Sequence, residues 1–87
     1  MLRIDEKTRL SELIEENEKA IDAIAKINSN FDKLKNPVLR KIFANKVSIK
    51  EAAKIGGVHP NIILDELSKI GFLVNYPKQV TNNLKRK

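Results

Sequence analysis

The chain has 87 residues, which is enough for one small domain with a single modest core. It contains no cysteine, so disulfide bonds, thiolate catalysis and cysteine-ligated metal or iron–sulfur sites are excluded. The net charge of +6 is uneven, because residues 31–50 carry six Lys/Arg and one Asp/Glu, and residues 78–87 carry four Lys/Arg and no acid. Such basic segments are typical of surfaces that bind nucleic acid or another polyanion, and also of ordinary solvated surfaces.

The first third of the chain predicts an extended lead-in followed by two short helices. Leu2 and Ile4 alternate with charged residues, as in an extended segment that lies against a core. Apolar residues at helical spacing begin at Leu10 and predict a helix that ends near Asn17. Asn17 is predicted to cap the second helix, since its side chain can accept from the free N–H groups of the first turn. Residues 28–30 end that helix.

A single helical turn and a third helix are predicted next. Phe31 and Leu34 are spaced to fill the core from one short turn. Asn36 and Pro37 predict a helix start, because Asn is a preferred cap and Pro is favoured at the first helical position. We expect this helix to run to about Ala44. Its buried face is predicted to contain Val38, Leu39, Ile42 and Phe43, with Arg40 and Lys41 pointing outward.

The stretch from Ser48 to Gly71 predicts two helices joined by a short glycine turn, which is a helix-turn-helix-like hairpin. Ser48 and Glu51 have the spacing of a capping box at the start of the first helix, and the glycine pair at residues 56–57 ends it. The proline after His59 begins the second helix. The residues predicted to face the core are Ala52, Ala53, Ile55, Ile62, Ile63, Leu67 and Ile70.

Together these elements predict an all-α fold. We expect one small domain over residues 1–77, built as an irregular array of about five short helices. Residues 78–87 are polar and basic and are predicted to form a flexible tail. No apolar stretch is long enough to span a bilayer, and the N-terminus lacks the apolar region of a signal peptide. We therefore expect a cytoplasmic protein that has no membrane partner.

The sequence offers no recognisable set of catalytic groups. His59 is the single histidine, and with no second histidine and no cysteine it lacks partners for a metal site. Its position beside Pro60 is typical of a helix cap. The acidic residues of the first helix are spaced as a solvated face and do not indicate a general acid–base pair. We therefore predict no enzyme activity, no cofactor and no metal.

A central basic cluster is the first candidate binding surface. Its residues surround the predicted start of the third helix and would attract an anion or an acidic protein partner. The same residues also fit an ordinary solvated surface, which is the simpler interpretation. The candidate residues are Lys33, Lys35, Asn36, Arg40, Lys41 and Lys46.

The hairpin is the second candidate, as a DNA-binding element. Its second helix would enter the major groove with the side chains near its N-terminus at the base edges. Asp65 and Glu66 lie on the same helix and would face the phosphates, which disfavours this alternative. The candidate DNA contacts are His59, Asn61, Ser68 and Lys69.

Three stretches of the chain together resemble a known domain. They are TRLSELI at residues 8–14, LKNPVLR at residues 34–40 and VSIKEAAKIGGV at residues 47–58. They resemble a small bacterial and archaeal helical domain of unknown function. That domain is similar to the N-terminal domain of ScdA-type iron–sulfur-cluster repair proteins and to the redox-disulfide domain associated with hybrid-cluster proteins. The resemblance covers residues 4–70 and implies an irregular all-helical domain with a regulatory or redox-linked accessory role.

Members of this family with a redox role carry a cysteine pair in the middle of the domain, and residues 29–34 of this chain contain no cysteine. The resemblance therefore transfers the scaffold, and not the disulfide or cluster chemistry. We predict a non-enzymatic binding or accessory module that contacts a protein partner. The alternative is a DNA-binding protein that uses the hairpin and the basic tail.

Overall fold

Short helices dominate the structure, a computed structural model that describes residues 3–77. The elements in chain order are β1 (Arg3–Ile4), α1 (Leu10–Glu16), α2 (Lys19–Ala25), a 3-10 helix (Ser29–Lys35), α3 (Pro37–Lys46), α4 (Ile49–Gly56), α5 (Pro60–Lys69) and β2 (Leu73–Val74). The predicted helical fold is therefore confirmed, apart from one small pair of strands. Leu2 and the predicted basic tail at residues 78–87 lie outside the described residues.

The helices of the second half begin and end as the capping chemistry predicts. Asn36 Oδ1 accepts hydrogen bonds from two N–H groups of the first turn of α3, at 2.9 and 3.3 Å. At the start of α4 the Glu51 N–H donates to Ser48 Oγ (3.2 Å), and the Ser48 N–H donates to Glu51 Oε1 (2.9 Å). Gly57 follows α4 with φ of 69°, a left-handed conformation that glycine adopts without steric cost. These predictions are confirmed.

Between α1 and α3 the start of α2 is as predicted, whereas the helical segment after α2 is longer than predicted. Asn17 Oδ1 accepts from the N–H of Lys19 (3.0 Å) at the start of α2, in the predicted capping role. The expected single turn after α2 is a seven-residue 3-10 helix. Phe31 and Leu34 lie within it and are fully buried, as predicted.

The core is mostly aliphatic, with two phenylalanines, Phe31 and Phe72, and it includes side chains from all of the helices. Ala52 and Ala53 on α4 are buried as predicted, and their small size lets neighbouring helices approach closely. The other fully buried side chains include Leu10, Leu13, Ala20, Ile24, Ile49, Ile63, Leu64 and Leu67.

A two-stranded parallel sheet brings the two ends of the described chain together. Arg3 pairs with Leu73 and Ile4 pairs with Val74. The Asn75 N–H donates to the Ile4 carbonyl oxygen (2.8 Å), and the Ile4 side chain is buried in the core. The extended lead-in was predicted, but its partner was not, because two residues are too few to show the alternation of a strand.

Five apolar residues that were predicted to face the core are exposed, so that part of the prediction is wrong. They are Val38, Leu39, Ile42, Ile55 and Ile62. On α5 the core position is taken by Leu64, which is fully buried. On α4 it is taken by Gly56, and on α3 by Ala44. In each helix the periodicity identifies an apolar face, and a smaller or adjacent residue decides which side packs inward.

The 3-10 helix and α4 make close contact at Gly56. Gly56 is buried, and a Cβ atom at this position would overlap the Phe31 ring, at 2.8 Å from Cε2. Asn28 Nδ2 donates to the Gly56 carbonyl oxygen (2.8 Å), and Asn30 Nδ2 to the Ile55 carbonyl oxygen (3.5 Å). The glycine thus lets an aromatic ring lie against the end of α4.

We expect Gly56→Ala to destabilise the domain, because the added methyl group overlaps a ring that is itself fully buried. Overpacking of this kind costs about 1–3 kcal/mol, of which better helix propensity returns about 1 kcal/mol. Chemical denaturation of the two proteins measures the difference. Phe31→Leu in the Gly56→Ala background should recover part of the loss, and strictly additive effects would contradict the contact.

Gly57→Ala is a control that changes the backbone preference without adding a steric overlap. Its backbone is left-handed, and a Cβ atom there meets nothing within 4 Å. The cost of about 1 kcal/mol should therefore come from the backbone alone. Phe31→Leu should leave this cost unchanged, in contrast to its effect on Gly56→Ala.

The capping box of α4 should make stability depend on pH. The Ser48 backbone N–H, followed by the Ser48 hydroxyl, holds the pKa of Glu51 below its usual value. Because the folded-state pKa is lowered, this stabilisation is fully present above the ordinary Glu pKa of about 4.3 and is lost as the pH falls through the lower folded value. Unfolding free energies of wild type and Glu51→Gln, measured from pH 7 to pH 2.5, should therefore converge in acid. A constant difference would contradict the role of the carboxylate.

Candidate functional site

Helix α3 presents an exposed apolar stripe, which we call the α3 stripe and define as Val38, Leu39 and Ile42. Their side chains are 68%, 48% and 57% exposed, respectively. Val38 and Ile42 are four residues apart and Leu39 and Ile42 are three apart, so all three share one side of the helix. Single exposed apolar residues are ordinary on a protein surface, whereas contiguous ones mark interaction sites.

The stripe faces outward because α3 packs through its opposite side. The helix contacts the 3-10 helix and α1. Ala44 is buried there, and the half-buried Arg40 donates from Nη1 to the Leu34 carbonyl oxygen (3.3 Å). A small residue and a hydrogen-bonded guanidinium stem therefore occupy the side that a sequence pattern would give to the large aliphatic residues.

A groove of about 290 Å³, the α3 groove, runs beside the stripe. Its lining residues are Lys33, Leu39, Ile42, Phe43, Lys46 and Val47. Phe43 and Val47 are half-buried and pack against the core, so they form a floor with restricted freedom. The Lys33 ammonium lies 4.9 Å from the centroid of the Phe43 ring, within cation–π distance.

The predicted basic cluster is divided among three places. Lys33 and Lys46 both line the α3 groove. Lys35 and Arg40 line a second groove, of about 350 Å³, together with Glu18 and Asp22. Lys41 lines a third groove, also of about 350 Å³, that includes Glu15. Asn36 serves as the cap of α3. Arg40 also lines the third groove, and acidic side chains lie among the basic ones in both the second and the third groove.

The predicted DNA contacts lie on or beside α5, and two of them have other partners. His59 Nδ1 accepts from the Asn61 N–H (3.1 Å), so this histidine caps α5. The Lys69 ammonium lies 3.0 Å from Glu66 Oε2, and Lys26 lies 3.1 Å from Glu66 Oε1. Ser68 is exposed, and Asn61 is half-buried.

The two carboxylates of α5 both have hydrogen-bond partners. Hydrogen bonds from Lys69 and Lys26 hold the pKa of Glu66 below its usual value. Asp65 accepts from the Tyr76 hydroxyl, and this hydrogen bond raises the pKa of that tyrosine. Glu66 is therefore paired with two lysines and largely covered, whereas Asp65 is exposed near the middle of the helix that would enter a DNA groove, where DNA phosphates would repel a carboxylate.

Metal and membrane sites can be assessed over the described residues. Within residues 3–77, no three His, Asp or Glu side chains are grouped so that they could hold a metal ion. No helix in this range is both long and apolar enough to cross a membrane.

Comparison with known families identifies the family of residues 4–64. The family model for a domain of unknown function, DUF1858, matches residues 4–64. This chain belongs to the DUF1858 family. We found no curated protein and no solved structure that matches the chain. The DUF1858 match runs from β1 into α5, so it includes the α3 groove and most of the α4–α5 hairpin.

Sequence reasoning found the side chains of the α3 stripe but assigned them to the core. It missed the contribution of Val47, which follows α3 and completes the groove. A usable signal was present, because Leu39, Ile42, Phe43 and Lys46 have the spacing i, i+3, i+4 and i+7 and so share one side of α3, a pattern typical of an amphipathic binding surface as well as of a core face.

Two matched substitutions test whether the side chains of the α3 stripe contribute to the stability of the fold. Ile42→Ala removes an exposed side chain, and we expect it to change the free energy of unfolding by less than about 0.5 kcal/mol. Ile24→Ala removes the same atoms from a fully buried position on α2 and should cost about 2–5 kcal/mol. Thermal or urea unfolding measures both. Equal losses would contradict the outward orientation of α3.

Proposed function

We propose that this DUF1858 chain is a non-enzymatic cytoplasmic binding module that docks a protein partner on α3. The observation that carries the proposal is the α3 stripe, in which three large aliphatic side chains are about half exposed or more. Their burial contributes little to the folding of this domain. They lie beside a groove with an apolar floor, which is the usual composition of the centre of a protein interface.

The exposed parts of the three side chains determine how much their burial can contribute to docking. Full burial of a Val, Leu or Ile side chain stabilises by about 1.5–3 kcal/mol, so covering the exposed parts of three would favour association by about 3 kcal/mol. The loss of rotational and translational freedom on binding costs about 4–15 kcal/mol, which is more than this gain. Micromolar affinity therefore requires further contacts in the groove, which Phe43 and Val47 are placed to provide.

The family resemblance supports an accessory role for the module. The resemblance of the sequence to ScdA-type and hybrid-cluster-associated domains implies a link between this scaffold and regulatory or redox-linked proteins. Because the chain has no cysteine, the part of that role that it can share is recognition by its surface. The α3 stripe is apolar and exposed, so it suits that role.

Selection of binding peptides tests the proposal, because selection does not require the identity of the natural partner. Random peptides of about 16 residues, long enough for roughly four helical turns, are displayed and selected against the wild-type domain. Most of the selected peptides should bind at least tenfold more weakly to Ile42→Glu. Binding is measured by fluorescence anisotropy with each selected peptide.

The matched control is Ile55→Glu. Ile55 lies in the last turn of α4, and its side chain is 44% exposed, close to that of Ile42. The selected peptides should bind this variant as tightly as wild type. Peptides that lose binding to Ile55→Glu and keep binding to Ile42→Glu would move the docking site to the hairpin and overturn the proposal.

DNA binding through α5 is the weaker alternative. The hairpin has the expected form, with three residues between the end of α4 and the start of α5. The carboxylates of Asp65 and Glu66 and the engagement of His59 and Lys69 argue against it. In an amide titration with a mixed-sequence duplex, salt-resistant shifts along α5 would support this alternative, and shifts that vanish with salt would not.

A further inference from the structure

The α3 groove is lined by charged as well as apolar side chains. Lys33 comes from the 3-10 helix and Lys46 from the last turn of α3, and both are exposed. The same groove is lined by the apolar side chains of Leu39, Ile42 and Phe43. A ligand that fills this groove therefore meets both apolar side chains and two lysines.

The position of one of these ammonium groups is restricted. Lys33 Nζ lies over the Phe43 ring at 4.9 Å, and Phe43 is packed against the core. The aromatic ring thus holds a cation beside the groove instead of leaving it to move freely in solvent. A pre-positioned charge loses less conformational entropy when an anion binds to it.

The surrounding segment has the same sign of charge. Residues 31–50 carry six Lys/Arg and one Asp/Glu, and this segment includes all of α3. Among the residues that line the α3 groove there is no acidic side chain. The field at the groove is positive, whereas the two neighbouring grooves contain Glu15, Glu18 or Asp22.

We infer that the partner segment of this module is an acidic amphipathic helix. This inference rests on the proposed function, and it adds the chemistry of the partner. A helix that presents apolar residues at i, i+3, i+4 and i+7 would place them on the α3 stripe and in the groove. Glu or Asp residues that flank those positions would lie beside Lys33 and Lys46.

Other occupants fit this surface less well. The chain's own residues 78–87 carry four Lys/Arg and no acid, so their charge opposes entry into a positive groove. A second copy would offer acidic residues on α1, which lacks a large exposed apolar side chain. It would also offer α5, but there Ile62 is the one large exposed apolar side chain of the helix, and Asp65 and Glu66 are already bonded to Tyr76 and to Lys26 and Lys69. An anionic membrane would attract the lysines, but a flat surface would not fill the concave groove.

A set of three designed peptides tests the inference. Each has leucine at i, i+3, i+4 and i+7 over about 16 residues, and the flanking positions are all Glu, all Gln or all Lys. We expect the Glu peptide to bind wild type about tenfold more tightly than the Lys peptide, since attraction and repulsion both contribute. Amide shifts should concentrate in α3, and the preference should shrink as salt is raised.

Charge reversal provides the decisive comparison. The double variant Lys33→Glu, Lys46→Glu should prefer the Lys peptide over the Glu peptide. Lys54→Glu, which reverses an exposed lysine on α4 away from the groove, should keep the wild-type preference.

The outcomes separate the two proposals. Equal binding of the Glu, Gln and Lys peptides, lost in Ile42→Glu, would keep the docking face and overturn the acidic partner. Binding of no peptide to α3 would overturn both. If the domain sediments with phosphatidylglycerol vesicles in a manner that needs Ile42 and Lys46, and binds no peptide, the surface is a membrane surface and the inference is overturned.

Discussion

The arrangement of this DUF1858 domain depends on the contact between the Phe31 ring and the backbone of Gly56. The ring fills the space that a side chain at Gly56 would need, and Asn28 and Asn30 donate to carbonyl oxygens at the end of α4. The 3-10 helix also packs against α2 and α3. This short segment, together with the direct packing of α2 on α5, fixes the α4–α5 hairpin relative to the N-terminal helices, and it does so by close packing with hydrogen bonds at its edge.

The position of α3 follows from that segment. The helix begins directly after the 3-10 helix, Asn36 caps its first turn, and Arg40 donates back to the Leu34 carbonyl oxygen. Ala44 supplies the close contact with the body of the domain. These contacts leave the large aliphatic side chains on the outside. A domain of this size has one small core, and here Phe31, Leu34 and the aliphatic residues of the other helices already fill it.

The two sides of the molecule that could bind a macromolecule differ in charge and polarity. The α3 groove is mostly apolar and is also lined by two lysines, whereas α5 carries Asp65 and Glu66 in hydrogen-bonded pairs. Desolvating the first surface is favourable, and desolvating the second would break existing hydrogen bonds. Both lie within or beside residues 4–64, so membership of the DUF1858 family does not distinguish between them, and the distinction comes from their chemistry.

The sequence by itself determined where the helices of the second half begin and end, since caps and glycine stops act over three or four residues. Asn36, the Ser48–Glu51 pair and Gly57 all behave as predicted. It did not determine which side of α3 is buried. Helical periodicity shows that Val38, Leu39 and Ile42 share a face, but burial depends on what lies opposite. That was decided by the packing of α3 against α1 and the 3-10 helix, in which Ala44 is buried and Arg40 donates to Leu34. The groove arose in the same way, because Lys33 and Lys46 come from two elements whose angle no local rule specifies.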